Sequence, residues 1–368
     1  MSVAAAIPSA GYEDIAQKVR AGVRLDAAEG LRLFQCRDIH LLGALANEMS
    51  LRKNGNNATF ILNRYINYSN LCILNCQFCA FAKRKGDPQA FEYTVPQMVE
   101  MARQTLALGI TELHIVGGLH PSLPFAHYLE MLRELRKLGP ELHLKCFTAV
   151  EIRHLSWKAR MSVGETLLAL REAGLGSLTG GGAEIFDPQV REQLCRGKES
   201  AEEWSEIHRT WHRLGGRSTC TMLYGHIESL EHRVDHLLRL RALQDETRGF
   251  TGFVALPYMP ENNQLQGLRE PTGYDSLRTI AVSRLLLDNF DHITAYWIGL
   301  GLPLAQIALG YGADDLHGTI IEEKIFHMAG TAAPQLQQKE DLVRAITEAG
   351  RTPWQRDSHY QRLHPCAR

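Results

Sequence analysis

Between residues 12 and 53 apolar positions recur every three or four residues, as at Leu31, Phe34, Leu41, Leu42 and Leu45, the spacing of helices that bury one face. From Thr59 the pattern changes to short strand-like runs. These are TFILNRYINYSN (59–70), TELHIVGG (111–118), ELHLKCFTA (141–149), GLGSLTGGG (174–182), GRSTCTMLYG (216–225), TGFVALPY (251–258), HITAYWIG (292–299) and the region around ADDLHGT (313–319). Amphipathic stretches such as VPQMVEMARQTLALG and LEHRVDHLLRLRALQDE separate them, and several close on the Gly expected just past a helix end. Eight strands alternating with helices predict an α/β fold, one (β/α)8 TIM-type barrel with parallel strands. The chain then divides into an N-terminal helical extension (1–58), the barrel (59–330) and a polar C-terminal tail (331–368) packing on it. No linker or fixed-period repeat splits the barrel.

Composition changes this picture little. The 368 residues are 45% hydrophobic and 22% charged, with 40 basic against 41 acidic side chains, so no net field favours nucleic acid or a membrane surface. The start lacks a basic segment followed by a long apolar run, and no 18 uncharged apolar residues occur together, which reads as a cytoplasmic protein. Eight cysteines are too sparse for a disulfide scaffold, and three fall within eight positions, which points to metal binding in a reducing compartment. Cys36, Cys146, Cys195, Cys220 and Cys366 are scattered and read as small core residues or idle thiols.

The triplet Cys72, Cys76 and Cys79 follows the first strand directly, where barrel enzymes carry their chemistry. Three thiolates on one loop can ligate three irons of a 4Fe-4S cubane, and the fourth iron is then open to a small molecule. The competing reading is a structural Cys3His zinc site in a non-enzymatic protein, but no His or Cys lies between Phe81 and Glu112 to close a local tetrahedron.

The Cx3CxxC spacing with Phe78 before the last cysteine resembles the radical S-adenosylmethionine (SAM) superfamily. That resemblance implies one 4Fe-4S cluster on Cys72, Cys76 and Cys79, with SAM bound as cosubstrate at the open iron and Phe78 lying against the adenine. Gly117 and Gly118 resemble the glycine-rich stretch that receives the SAM amino group, and Glu184, in GGGAE, resembles the carboxylate that contacts SAM. TMLYGHIE (221–228) is similar to the adenine-side motif, although Thr221 and Leu223 replace its first Gly and its Ile.

From about Asn63 to Gly330, segments including INYSNLCILNCQFCAFAKRKGDPQAFEY, ELHIVGGLHPSLPFAHYLEMLR, FTAVEI, GGGAEIFDP and EEKIFHMAG resemble the aminofutalosine synthases of the futalosine route to menaquinone. The dehypoxanthine futalosine cyclases share several of these and are the alternative. The resemblance implies addition of the 5'-deoxyadenosyl radical to 3-[(1-carboxyvinyl)oxy]benzoate with loss of carbon dioxide, giving aminodeoxyfutalosine. It also implies an electron donor such as flavodoxin or ferredoxin.

In the second strand, period two turns Glu112, His114 and Val116 inward if Leu113 and Ile115 face the helices, so His114 is the candidate catalytic residue. Thr148, ending the third strand, is a candidate hydrogen-bond donor to substrate. Two substrate carboxylates call for Arg or Lys at strand ends, which the sequence does not single out. Lys83, Arg84 and Lys85 read as a solvated surface, the pairs Glu322-Glu323 and His327-Met328 as exposed helix acids and a core Met, and His208, His212, His232 and His236 as surface or packing residues of outer helices.

Overall fold

The computed structural model describes residues 11–366; the first ten residues of the expected extension and the last two of the tail lie outside the described residues. Three helices, Glu13–Ala21, Ala27–Gln35 and Ile39–Asn54, precede the first strand. Eleven strands follow in chain order: β1 (Asn57–Ile61), β2 (Asn63–Ile66), β3 (Glu112–Ile115), β4 (His143–Cys146), β5 (Ser177–Leu178), β6 (Arg217–Tyr224), β7 (Phe250–Pro257), β8 (Ile293–Thr294), β9 (Asp315–Gly318), β10 (Thr352–Arg356) and β11 (Arg362–Pro365).

β1 and β2 are one run broken at Leu62, and that run is the seam of the barrel. β1 pairs with β9 (Thr59 with Asp315), β2 pairs with β3 (Tyr65 with His114), and parallel pairing continues through β4 to β9. A bridge between Arg64 and Ile321 and mutual bonds between Asn63 and Thr319 close the circle. The eight-stranded barrel expected from the pattern is thus present, each sequence run contributing one barrel strand. Its helices begin with side-chain caps where the sequence offers Ser, Thr or Asp three residues before a Glu, Gln or His, as at Thr94–Gln97, Ser200–Glu203 and Ser229–His232.

Alternation sorts the two faces. Leu113 and Ile115 are fully buried in the core beneath the helices, whereas His114 and Val116 line the interior. In the neighbouring strand Leu144 and Cys146 pack outward, and Lys145 sits in register with His114 and faces inward. His208 and His236 are fully buried rather than on the surface: they hydrogen-bond Ser218 Oγ at 2.9 Å and the Thr221 carbonyl at 2.9 Å, fastening outer helices to β6.

The polar segment after residue 330 is structured. Helix Lys339–Glu348 leads into β10, which adds parallel to β1, and β11 returns antiparallel. Arg356 and Tyr360 enter the barrel from this end. The Arg356 guanidinium grips Asp315 through Nε–Oδ2 at 2.5 Å and Nη2–Oδ1 at 3.0 Å, and the Tyr360 hydroxyl meets Thr294 Oγ1 at 3.0 Å. No helix among the described residues is long and apolar enough to cross a membrane.

Candidate active site

The cysteine loop leaves the C-terminal end of β2 and is fastened from several sides. Cys72 N–H donates to the Lys83 carbonyl at 3.1 Å, Ile73 N–H to Leu119 at 3.0 Å, and Gln77 N–H to Leu194 at 2.8 Å. Arg84 donates from Nη1 to the Cys72 carbonyl at 2.7 Å, so one member of the basic run anchors the loop. All three thiols line a single cavity of about 290 Å³ at the C-terminal mouth of the barrel. Cys72 Sγ accepts the Leu119 N–H and Cys79 Sγ the Ala82 N–H, each at 3.4 Å. Burial pushes the Cys76 and Cys79 thiols up, so ionising them needs a positive partner. Among the described residues no three His, Cys, Asp or Glu side chains gather closely enough to hold one metal ion. A triangle of soft thiolates without a fourth ligand suits a cluster, in which each thiolate takes a different iron. The residues present therefore fit a 4Fe-4S group with one open position. Cys195 packs beside Cys76 but does not line the cavity.

Gly117 and Gly118 follow β3 against this loop. A Cβ on Gly118 would stand 2.4 Å from the Leu71 carbonyl oxygen and 3.1 Å from Cys72 Cβ, and one on Gly117 would strike the Tyr68 ring at 2.6 Å. The glycines let the strand end approach the cysteine loop itself, besides leaving room in the cavity. Phe78 lines the cavity with the Lys198 ammonium 5.7 Å from its ring.

Glu184 and Lys198 form a buried ion pair at the cavity wall. Burial alone would raise the Glu184 carboxyl, but the Lys198 ammonium, with Arg191 and His226 near by, holds it below its ordinary value. Only Oε1 is engaged by Lys198, and among the described residues Oε2 has no hydrogen-bond partner. The helix that follows is capped by Asp187, so Glu184 is not the acid at a helix start. Beneath the pair lies Glu199, fully buried with neither oxygen hydrogen-bonded, and burial pushes its carboxyl up to about 7.

Thr148 lines the cavity, but its hydroxyl is committed. It caps helix Ala149–Ala159 and donates to Glu151 Oε2 at 2.8 Å, while Glu151 Oε1 accepts from Tyr68 Oη at 2.7 Å and from Gly117 N–H at 3.1 Å. The structure gives Thr148 a capping role, and its side chain also lines the cavity. The YGHIE stretch is likewise a braced turn: Glu228 accepts from Gly225 N–H at 2.5 Å, His226 N–H at 2.8 Å and Arg233 Nε at 2.8 Å, and Thr221 and Leu223 face the cavity.

Deeper in the barrel His114 stacks on Tyr65, with ring centroids 4.2 Å apart and planes at 5°. Its Nδ1 is buried without a hydrogen-bond partner, and burial, with Lys145 beside it, drives its pKa well below the ordinary histidine value. His317, in the left-handed region at φ 66°, lies on the other side of the β1–β2 run with its ring centroid 6.2 Å from that of His114, and is held neutral by burial, down to about 3. Lys145, Tyr296 and Tyr360 complete this floor. Lys145, Lys198, His317 and Tyr65 escaped the sequence reading. For Lys145 a signal existed, since a lone lysine at an inward position of an alternating strand is costly unless it has a task.

A strand-closed barrel with three thiols, a paired glutamate and a close-approach glycine pair around one mouth defines a radical SAM enzyme. The chain belongs to that superfamily: residues 66–240 match the radical SAM superfamily model, and residues 247–367 match the model described as the CofH/MqnC C-terminal region. A crystal structure of methylornithine synthase shares the fold, with a TM-score of 0.72 at 18% identity over 92% of this chain and 97% of that one. Within the superfamily the chain belongs with the aminodeoxyfutalosine synthases. It is 47% identical to that enzyme of Thermus thermophilus, over 95% of each chain. It is also 44% identical to the Streptomyces coelicolor synthase, over 95% of this chain and 93% of the relative. Against cyclic dehypoxanthine futalosine synthase from the same Streptomyces, identity falls to 36% over 96% and 89%. Family membership overturns the reading of the cysteines as a zinc site in a non-enzymatic protein.

Proposed function

We propose that this chain is a radical SAM transferase joining the 5'-deoxyadenosyl group of SAM to 3-[(1-carboxyvinyl)oxy]benzoate, with loss of carbon dioxide, to give 6-amino-6-deoxyfutalosine for menaquinone biosynthesis. The observation that carries the reading is one cavity lined both by the three thiols and by the polar floor of the barrel, so that SAM and a second substrate share one enclosed space. Cys72, Cys76 and Cys79 would hold a 4Fe-4S cluster, which when bound and reduced would supply the electron for SAM cleavage. The chain's own residues then position and shield. Glu184, oriented by Lys198, offers Oε2 to the SAM amino or ribose groups; Gly117 and Gly118 keep the wall thin; Phe78 covers the adenine. Val116, Leu223, Val254 and Leu256 line the cavity with apolar surface and keep water from a reactive carbon. His114, neutral and with Nδ1 unpartnered, gives or takes one hydrogen bond to the second substrate without adding charge.

We read the enzyme as cytoplasmic, where the thiols stay reduced, with flavodoxin or ferredoxin as electron donor. The cyclase reading is the rival. Anaerobic enzyme with SAM and a reductant, offered the enolpyruvyl benzoate and dehypoxanthine futalosine side by side, is expected to consume the first and leave the second. Consumption of dehypoxanthine futalosine alone would make the chain a cyclase.

A further inference from the structure

Two lysines line the cavity, and among the described residues only Lys198 has an ion-pair partner within 4.0 Å. Lys198 is bound to Glu184, whereas Lys145, 5% exposed, has no carboxylate within 4.0 Å and no hydrogen-bond partner among the described residues. Its surroundings do not supply an anion at contact distance. Glu112, one inward position lower on β3, gives Oε1 to Asn63 Nδ2 at 3.1 Å and leaves Oε2 without a partner, and Asp315 is occupied by Arg356, Thr59 and Thr294. The rings beside Lys145 facing the cavity are uncharged and can hydrogen-bond: His114 in register on β3, Tyr65 beyond it on β2, and His317 past Tyr65 on β9. Burial lowers the Lys145 pKa, with Glu112 the main charge opposing it; a buried lysine that faces the cavity among neutral donors is a seat for a carboxylate, whose charge favours the ammonium form.

We propose that Lys145 binds the ring carboxylate of the second substrate and thereby sets its depth and orientation, an assignment that rests on the function proposed above. The choice between the two carboxylates follows from depth. Lys145 lies within β4, whereas Thr148 stands past the strand end and caps the next helix at the cavity wall, so Lys145 sits deeper from the mouth than Thr148. The cysteine loop leaves the mouth end of β2. The methylene carbon that accepts the adenosyl group must face that end, and the enolpyruvyl carboxylate, one carbon away, stays with it. The carboxylate on the ring is the one that reaches the floor. Arg356, the other cation near by, is spent on Asp315 and closes the floor from below.

The test uses reconstituted enzyme, the natural substrate and its analogue bearing a carboxamide in place of the ring carboxylate. Wild-type enzyme should show a KM about 10- to 100-fold higher for the carboxamide, the range of one charge-assisted hydrogen bond. Lys145→Met should raise KM for the natural substrate by a similar factor and lose most of the preference between the two, with iron content and SAM affinity unchanged. Lys145→Arg, which keeps the charge, should keep a preference for the carboxylate. A methionine variant that still favours the carboxylate as strongly as the wild type would overturn the assignment. Wild-type enzyme that cleaves SAM yet never consumes the natural substrate would instead remove the proposed function, and this assignment with it.

Discussion

Glu184 takes a left-handed backbone angle, φ 44°, at the end of its glycine run, and that turn brings its carboxylate to the Lys198 ammonium inside the cavity wall. Stranding one member of a buried pair costs about 3–5 kcal/mol. Glu184→Gln should therefore weaken SAM binding and lower thermal stability together, with the cysteine loop still loaded with iron. The pH dependence has a definite sign. A carboxyl held below its unfolded value of 4.5 stabilises the fold fully above that pH and loses the contribution as pH falls through the folded value. The Gln variant should show a flatter loss of melting temperature on the acid side than the wild type; parallel acid limbs, or unchanged SAM affinity, would contradict the pairing. Residues of this kind were unequally legible in the sequence. The cysteines, Phe78 and Glu184 stand in a fixed local spacing, but Lys198 lies fourteen positions after its partner and reaches it only through the fold. His317 owes its place to an unusual φ at a strand end, for which no local signal exists.

At the scale of elements, the cysteine loop is held by its neighbours' backbones as much as by its own sequence. Glu151 ties the start of helix Ala149–Ala159 to Tyr68 and Gly117, and Gly118 then meets Leu71 too closely for any side chain. Gly118→Ala should displace the loop, because the contact at 2.4 Å is with backbone that cannot rotate away. Iron content per chain, measured after anaerobic reconstitution, should fall well below the wild-type value. Full iron and unaltered SAM affinity would show that the close approach is dispensable. Most strands were legible because their runs alternate or are rich in β-branched residues; GLGSLTGGG and ADDLHGT, which hold β5 and β9, do neither and were placed by the repeating order of strands and helices. Thr148 carries a second local signal, Glu151 three residues on, which completes a capping box.

For the whole molecule, the barrel is sealed at one end by residues the sequence pattern presents only as a polar tail. β10 carries Pro353 and Arg356 and shows no apolar face, because its partners are the polar groups of the barrel floor and its role is to insert Arg356 and, beyond it, Tyr360. The result is a cavity with the cysteines at its mouth, apolar residues in its walls and, deeper, the rings of His114, His317 and Tyr65 beside Lys145, which has no ion-pair partner among the described residues, an arrangement suited to keeping a radical fragment and its acceptor together. The most direct test of this account follows the 5' carbon of SAM. With SAM labelled at that carbon, reductant and the enolpyruvyl benzoate, the label should appear in one aromatic product that also carries adenine and ribose, with carbon dioxide released and free 5'-deoxyadenosine only a minor by-product. Label recovered chiefly in 5'-deoxyadenosine, with no adenylated aromatic product, would contradict it.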